Sequence, residues 1–160
     1  MKQTVLLANR FREVMLNGNW IANTNLREVI SDLDWKQATT QIGSLNTIAL
    51  LTFHLNYYIE GVLKVLEGGS LDIRDQYSFD MPSVQSQEDW ERLAQQICDN
   101  SEQFAVCVEQ LEDDQLFTSF VMAEYGSWYR NLEGMIEHCY YHFGQISLIK
   151  KMVLEQTALS

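Results

Sequence analysis

The sequence predicts an all-α fold, a four-helix bundle with one long crossover between its second and third long helices. Three observations carry this. Apolar residues recur at helical spacing almost throughout the 160 residues. One proline and eight glycines leave few breaks. The stretch from Gly68 to Gln85 separates two long periodic segments and is long enough to cross the end of a bundle, so those helices need not be antiparallel neighbours.

The elements follow in order. A first helix runs from about Gln3 to Asn17, with Val5, Leu6, Phe11, Val14 and Met15 among its apolar positions, and Asn17-Gly18-Asn19 is expected to end it through a positive-φ residue. Thr24 is the expected N-cap of a short helix from Asn25 to Leu33. The second long segment spans Ser44 to Glu67 and stops at Gly68-Gly69. A third opens at Ser86-Gln-Glu-Asp89, which resembles a capping box, and continues to about Leu111. Leu116 to Gly126 is irregular, with a short helix expected near Asp113, and the fourth segment spans Ser127 to Gln156. No repeat, low-complexity run or linker divides residues 1–160, so a single domain is expected.

Composition narrows the partners. Hydrophobic residues at 46% and charged residues at 21% are ordinary globular values and argue against disorder. The 22 acidic and 11 basic residues give a formal charge of −11, which repels phosphate backbones and anionic lipid, and no basic stripe reverses it locally. Nucleic acid is therefore excluded as a partner class. No apolar run reaches the ~18–20 residues of a membrane span, and the apolar stretch at the N-terminus is too short for a signal peptide. A soluble, cytoplasmic protein is expected. The odd count of three cysteines, Cys98, Cys107 and Cys139, has no framework spacing and reads as buried, reduced thiols.

The histidines carry the chemistry. His138 and His142 stand four residues apart in an apolar segment, which puts both on one face of a helix, one turn above the other. The third and last histidine, His54, sits on an apolar face of the second long segment with Thr47, Leu50, Leu51, Tyr58, Gly61 and Val65. Around His138 the same ~100° steps gather Asn131, Met135, His142, Gln145 and Ile149. A lone histidine on such a face is ordinarily a core residue bonded to a carbonyl. Two inward imidazoles on adjacent turns need two separate partners or one shared cation, and a third from a facing helix would complete a three-histidine site. Spacing alone leaves both readings open. Cys139 stands where the zinc-protease motif has glutamate, so that chemistry is excluded.

Asn46-Thr-Ile-Ala-Leu-Leu-Thr-Phe-His54 and His138-Cys-Tyr-Tyr-His142-Phe-Gly-Gln-Ile146, together with the helix layout, resemble the DinB-like family, also called YfiT-like or damage-inducible four-helix bundles. These share only a name with the translesion polymerase. The resemblance implies that His54, His138 and His142 bind one divalent transition metal, zinc or nickel first, as a cofactor. It further implies a small-thiol S-transferase acting on electrophilic compounds, with a metal-dependent hydrolase or a non-enzymatic, stress-related metal-binding bundle as alternatives. A low-molecular-weight thiol, a small electrophile and a second copy in a homodimer are the partners it suggests. Tyr58 and Gln145 are candidates for orienting a ligand or lining a pocket; no general base is identifiable.

Overall fold

The computed structural model describes residues 2–158. Among them lie six α-helices: α1 (Gln3–Arg12), α2 (Leu26–Ser31), α3 (Trp35–Thr39), α4 (Ile48–Leu66), α5 (Gln87–Gln110) and α6 (Trp128–Ala158). No strand occurs among the described residues; Ser119 and Ser127 form one isolated bridge. The fold is all-α, and among the described residues no helix is long and apolar enough to cross a membrane.

The long helices share one core. α4 packs most extensively on α5, α5 also covers α1, and α6 lies against α4 and α1. Their apolar stripes meet in Phe11, Leu55, Ile59, Ile97, Phe104, Leu132, Ile136 and Ile146, all nearly or fully buried. Burying side chains of this size contributes about 1.5–3 kcal/mol each before entropy is counted. Phe11 and Phe104 join α1 to α5 with ring centroids 4.4 Å apart. On the flank of the same pair, the mostly buried Arg12 binds Glu102 through Nε and Nη2, at 3.0 and 2.8 Å, and Glu109 through Nη1.

Several boundaries differ from expectation. α1 does not stop on a positive-φ glycine: Gly18 has φ −88°, and the chain leaves through a π turn, Glu13–Asn17. The cap of α2 is Asn25, not Thr24. The Asn25 side chain is fully buried; its Oδ1 accepts from Glu28 N at 3.1 Å and its Nδ2 donates to Gly18 O at 3.2 Å. Thr24 instead donates to the Glu28 carboxylate. α2 ends at Ser31 because a new helix begins at once: Asp34 and Gln37 form a capping box that starts α3. Trp90 fastens this region to α5, donating from Nε1 to Leu33 O at 3.0 Å.

The second long helix begins at Ile48, four residues after the expected start, because the Thr47 hydroxyl accepts from Leu50 N and caps it. It stops at Gly68 (φ +90°), with Gly69 N–H donating back to Lys64 O. Ser86 caps α5 as expected, accepting from Asp89 N. The short helix expected near Asp113 is a 3-10 turn, Gln115–Phe117. Asp113 itself accepts from the backbone N–H groups of Gln3 and Thr4, both at 3.1 Å, and so caps α1 from the far side of the chain.

The 67–86 connection is docked on α4 rather than looped into solvent. Gly61 makes this possible: a Cβ there would fall well inside contact distance of Ile73 Cγ2, with Ile73 Cδ1 at 3.2 Å and Cβ at 3.3 Å. The Tyr57 hydroxyl donates to Arg74 O at 3.0 Å and accepts from Arg74 N at 2.8 Å. These contacts bring the 67–86 connection over the face of α4 that carries His54.

Candidate metal centre

His54 of α4 and His138 and His142 of α6 converge. Their ring centroids stand 5.1 Å (His54–His138), 4.7 Å (His54–His142) and 4.6 Å (His138–His142) apart. One ring nitrogen from each lies within 4.8 Å of the others, close enough to hold a metal ion. His54 and His142 are buried, at 6% and 7% exposure, and His138 is half-buried at the rim.

Two rings are oriented from behind. His54 Nδ1 donates to the Ser78 carbonyl at 3.2 Å, and His142 Nδ1 donates to Gln145 Oε1 at 2.7 Å. Both acceptors lack a proton to give, so the proton of each ring is fixed on Nδ1 and the lone pair on Nε2. Metal-ligating histidines use this arrangement to fix tautomer and ring angle. His54 Nε2 faces His138 Nε2 at 3.2 Å. A hydrogen bond there takes its proton from His138; a shared cation would replace that proton. Ligands about 2.0–2.1 Å from a tetrahedral ion stand roughly 3.3–3.4 Å apart, so this pair already fits the edge of such a site.

The electrostatics agree with a ligand role. Burial lowers the pKa of all three imidazoles, against the opposing hydrogen bonds that His54 donates to Ser78 and His142 donates to Gln145. His138 falls furthest, to about 4, through desolvation first and then the nearby His142 and His54. All three are neutral at pH 7, the form that donates a lone pair.

Around the cluster, Phe79 stacks on His54 at 4.1 Å and 13°. Tyr58 stands edge-on to His54 and His138, at 5.1 and 5.2 Å, and its hydroxyl donates to Asp75 Oδ1 at 2.7 Å. Burial and that carboxylate raise its pKa, so the phenol stays protonated. The structure thus brings both Tyr58 and Gln145 to the imidazoles. Cys139 is not part of the cluster; it is fully buried, and desolvation pushes its thiol far above the ordinary range. Cys98 and Cys107 are buried free thiols.

A cavity of about 740 Å³ opens beside His138 and Tyr58, walled by Ile73 and Arg74 of the 67–86 connection, Phe120 and Tyr125 of the 116–126 stretch, and Arg130 and Met135 of α6. Sequence spacing could not find Ser78, Phe79, Arg74 or Arg130. Ser78 acts through a backbone carbonyl, which carries no side-chain signal. Phe79 belonged to an aromatic-containing crossover, and that composition was the one available hint.

Compared with known protein families, with curated proteins and with solved structures, the chain finds no match in any of the three.

Proposed function

We propose that this chain is a DinB-like four-helix bundle, with α1, α4, α5 and α6 as its bundle helices and residues 67–86 as the crossover, that binds one divalent transition metal through His54, His138 and His142. The observation that carries the reading is the pair of Nδ1 hydrogen bonds, which turns the Nε2 lone pairs of His54 and His142 into the cluster. Imidazole donors suit zinc or nickel. Bound there, the ion would supply Lewis acidity that draws the pKa of a coordinated thiol or water toward neutrality.

The activity proposed is transfer of a small thiol to an electrophilic compound. The cavity at His138 supports an accessible centre over a closed structural one. The chain's own residues prepare it. Ser78 and Gln145 hold the rings, burial keeps them unprotonated, and Phe79 shields one face of His54 from water. Tyr58, protonated and bound to Asp75, packs against the rings and does not serve as a base.

The test uses cobalt-substituted protein. A small thiol should produce a sulfur-to-metal absorption band, and conjugation to monobromobimane should accelerate with metal present and fall in His54→Ala. A band without turnover keeps thiol binding and rejects that electrophile. No band with several thiols, in protein shown to contain metal, moves the reading to hydrolysis or to metal binding without catalysis. We further propose a cytoplasmic homodimer. A monomer in light scattering at micromolar concentration and moderate salt, where the −11 charge is screened, would refute the dimer.

A further inference from the structure

The cavity beside His138 has a lining of its own to explain. In a chain of charge −11, two of its eleven cationic side chains, Arg74 and Arg130, border this one space. The remainder of the wall is mostly apolar or aromatic, including Val62, Ile73, Phe120, Tyr125 and Met135. The opposing charges are Asp75, engaged by the Tyr58 hydroxyl, Glu137, which accepts from Arg130 Nη1 at 3.1 Å, and Asp72, which is paired with Lys64 and also feels the charge of Arg74.

Arg130 lies beside a glycine. Arg130, Gly134 and His138 follow one another at single-turn spacing along α6. A Cβ on Gly134 would stand 3.4 Å from Arg130 Nη1 and 3.9 Å from Cζ, with no other atom within that range among those that could meet it. No core packing therefore requires glycine here, although glycine in a helix costs about 1 kcal/mol relative to alanine. The guanidinium lies alongside Gly134 at the cavity edge, at a distance that a Cβ would also tolerate. The Arg130–Glu137 pair is well exposed, 61% and 62%, and such pairs are weak, so Arg130 is available to a better partner. Arg74 is positioned differently: its backbone N–H and carbonyl are both clamped by the Tyr57 hydroxyl.

We infer that this cavity binds a small molecule that carries a carboxylate, with the anion taken by Arg130 and Arg74 and an apolar body lying against Phe120, Tyr125 and Met135. The guanidinium of Arg130 lies level with Gly134, four residues before His138, which is about 6 Å along the helix axis at ~1.5 Å per residue. The ligand's other end then reaches the three-histidine centre. The inference deepens the proposed reading of that centre, but the anion end rests on the cavity lining alone.

The probe is 4-phenylbutyrate, with 4-phenylbutanamide as its uncharged counterpart, titrated calorimetrically into the full chain as purified and again after chelation. The carboxylate should bind at least about tenfold more tightly than the amide, the order expected of one charge-assisted pair that stays partly solvated. Arg130→Gln should remove most of that preference and leave amide binding unchanged, Arg74→Gln should remove less, and Arg130→Lys should keep part of it. Circular dichroism and melting confirm that each variant is folded before its titration is read. Survival of the preference after chelation supports the arginine site and is independent of whether the histidines bind metal. Equal affinity for the two probes, no binding of either at millimolar concentration, or full preference in the Arg130→Gln, Arg74→Gln double variant would overturn the inference. Loss of the preference on chelation would also overturn it, since the carboxylate would then have been held by the metal.

Discussion

Replacing Gly61 with alanine tests how the 67–86 connection is held over the histidines. In the middle of α4 the change should stabilise the helix by about 1 kcal/mol on propensity alone. The structure opposes that gain. The new methyl would overlap Ile73 Cγ2 and press Cδ1 at 3.2 Å and Cβ at 3.3 Å, and Ile73 is β-branched, so it cannot simply swing an end away. Overpacking of this kind costs about 1–3 kcal/mol. Gly61→Ala alone should then fall between neutral and ~2 kcal/mol less stable, a range too broad to decide anything. The double-mutant cycle decides. In an Ile73→Ala background the overlap is gone and only the 3.3 Å Cβ contact remains, so Gly61→Ala should turn favourable. The coupling should be about 1–3 kcal/mol, read from urea midpoints of the four proteins. Gly144→Ala serves as the opposite case. A Cβ there meets nothing within 4 Å, so it should stabilise by up to about 1 kcal/mol. Because the 67–86 connection supplies Ser78 and Phe79 to His54, Gly61→Ala should also weaken metal binding by roughly 10–100-fold, the usual effect of losing a ligand's orienting partner. Additivity within ~0.5 kcal/mol, with metal affinity unchanged, would refute the docking argument.

Three further outcomes are expected. Asn25→Ala should cost about 1–2 kcal/mol, or about 2–8 °C in calorimetric Tm for a chain of this size, whereas Thr24→Ala should cost little; the reverse order would restore Thr24 as the cap. The metal-free protein should lose stability as pH falls from about 6.5 toward 4. Each imidazole takes up its proton at lower pH in the native state than in the unfolded one, His138 only near about 4, so the unfolded state binds more protons as the pH falls through that window. His138→Gln should flatten the slope of urea midpoint against pH; an unchanged slope would show that other groups set it. Chelation should lower the melting temperature of metal-loaded protein, since an ion held only by the folded state stabilises it; an unchanged melt after verified removal would contradict a site that joins α4 to α6.

Much of this was legible in the residues because helical periodicity is a local signal. The segments that became α4, α5 and α6 were placed by apolar spacing, and Gly68-Gly69 and Ser86 acted at the predicted ends. One-turn spacing put His138 and His142 on one inward face, but spacing left open whether His54 joined them; the resemblance pointed to it, and the three ring nitrogens do lie together. Failures came where a competing local choice or a tertiary partner decided. Asn25 took the cap from Thr24 because its amide could also reach Gly18 O. Asp34-Trp-Lys-Gln37 spelled a capping box in plain sight, but the helix it starts is only five residues long. Gly61 was visible as a member of the His54 face, whereas its partner Ile73, twelve residues on, was set by how the 67–86 connection folds back. The Ser78 carbonyl that orients His54 left no trace in side-chain chemistry.

Metal content of the purified chain tests the central claim most directly. Elemental mass spectrometry should find close to one transition-metal ion per chain, with the ion lost in His138→Ala, because two imidazoles on separate helices cannot hold it firmly. Full stoichiometry retained in the His54→Ala, His138→Ala, His142→Ala triple variant, or no metal taken up by wild-type protein offered zinc or nickel, would contradict the account.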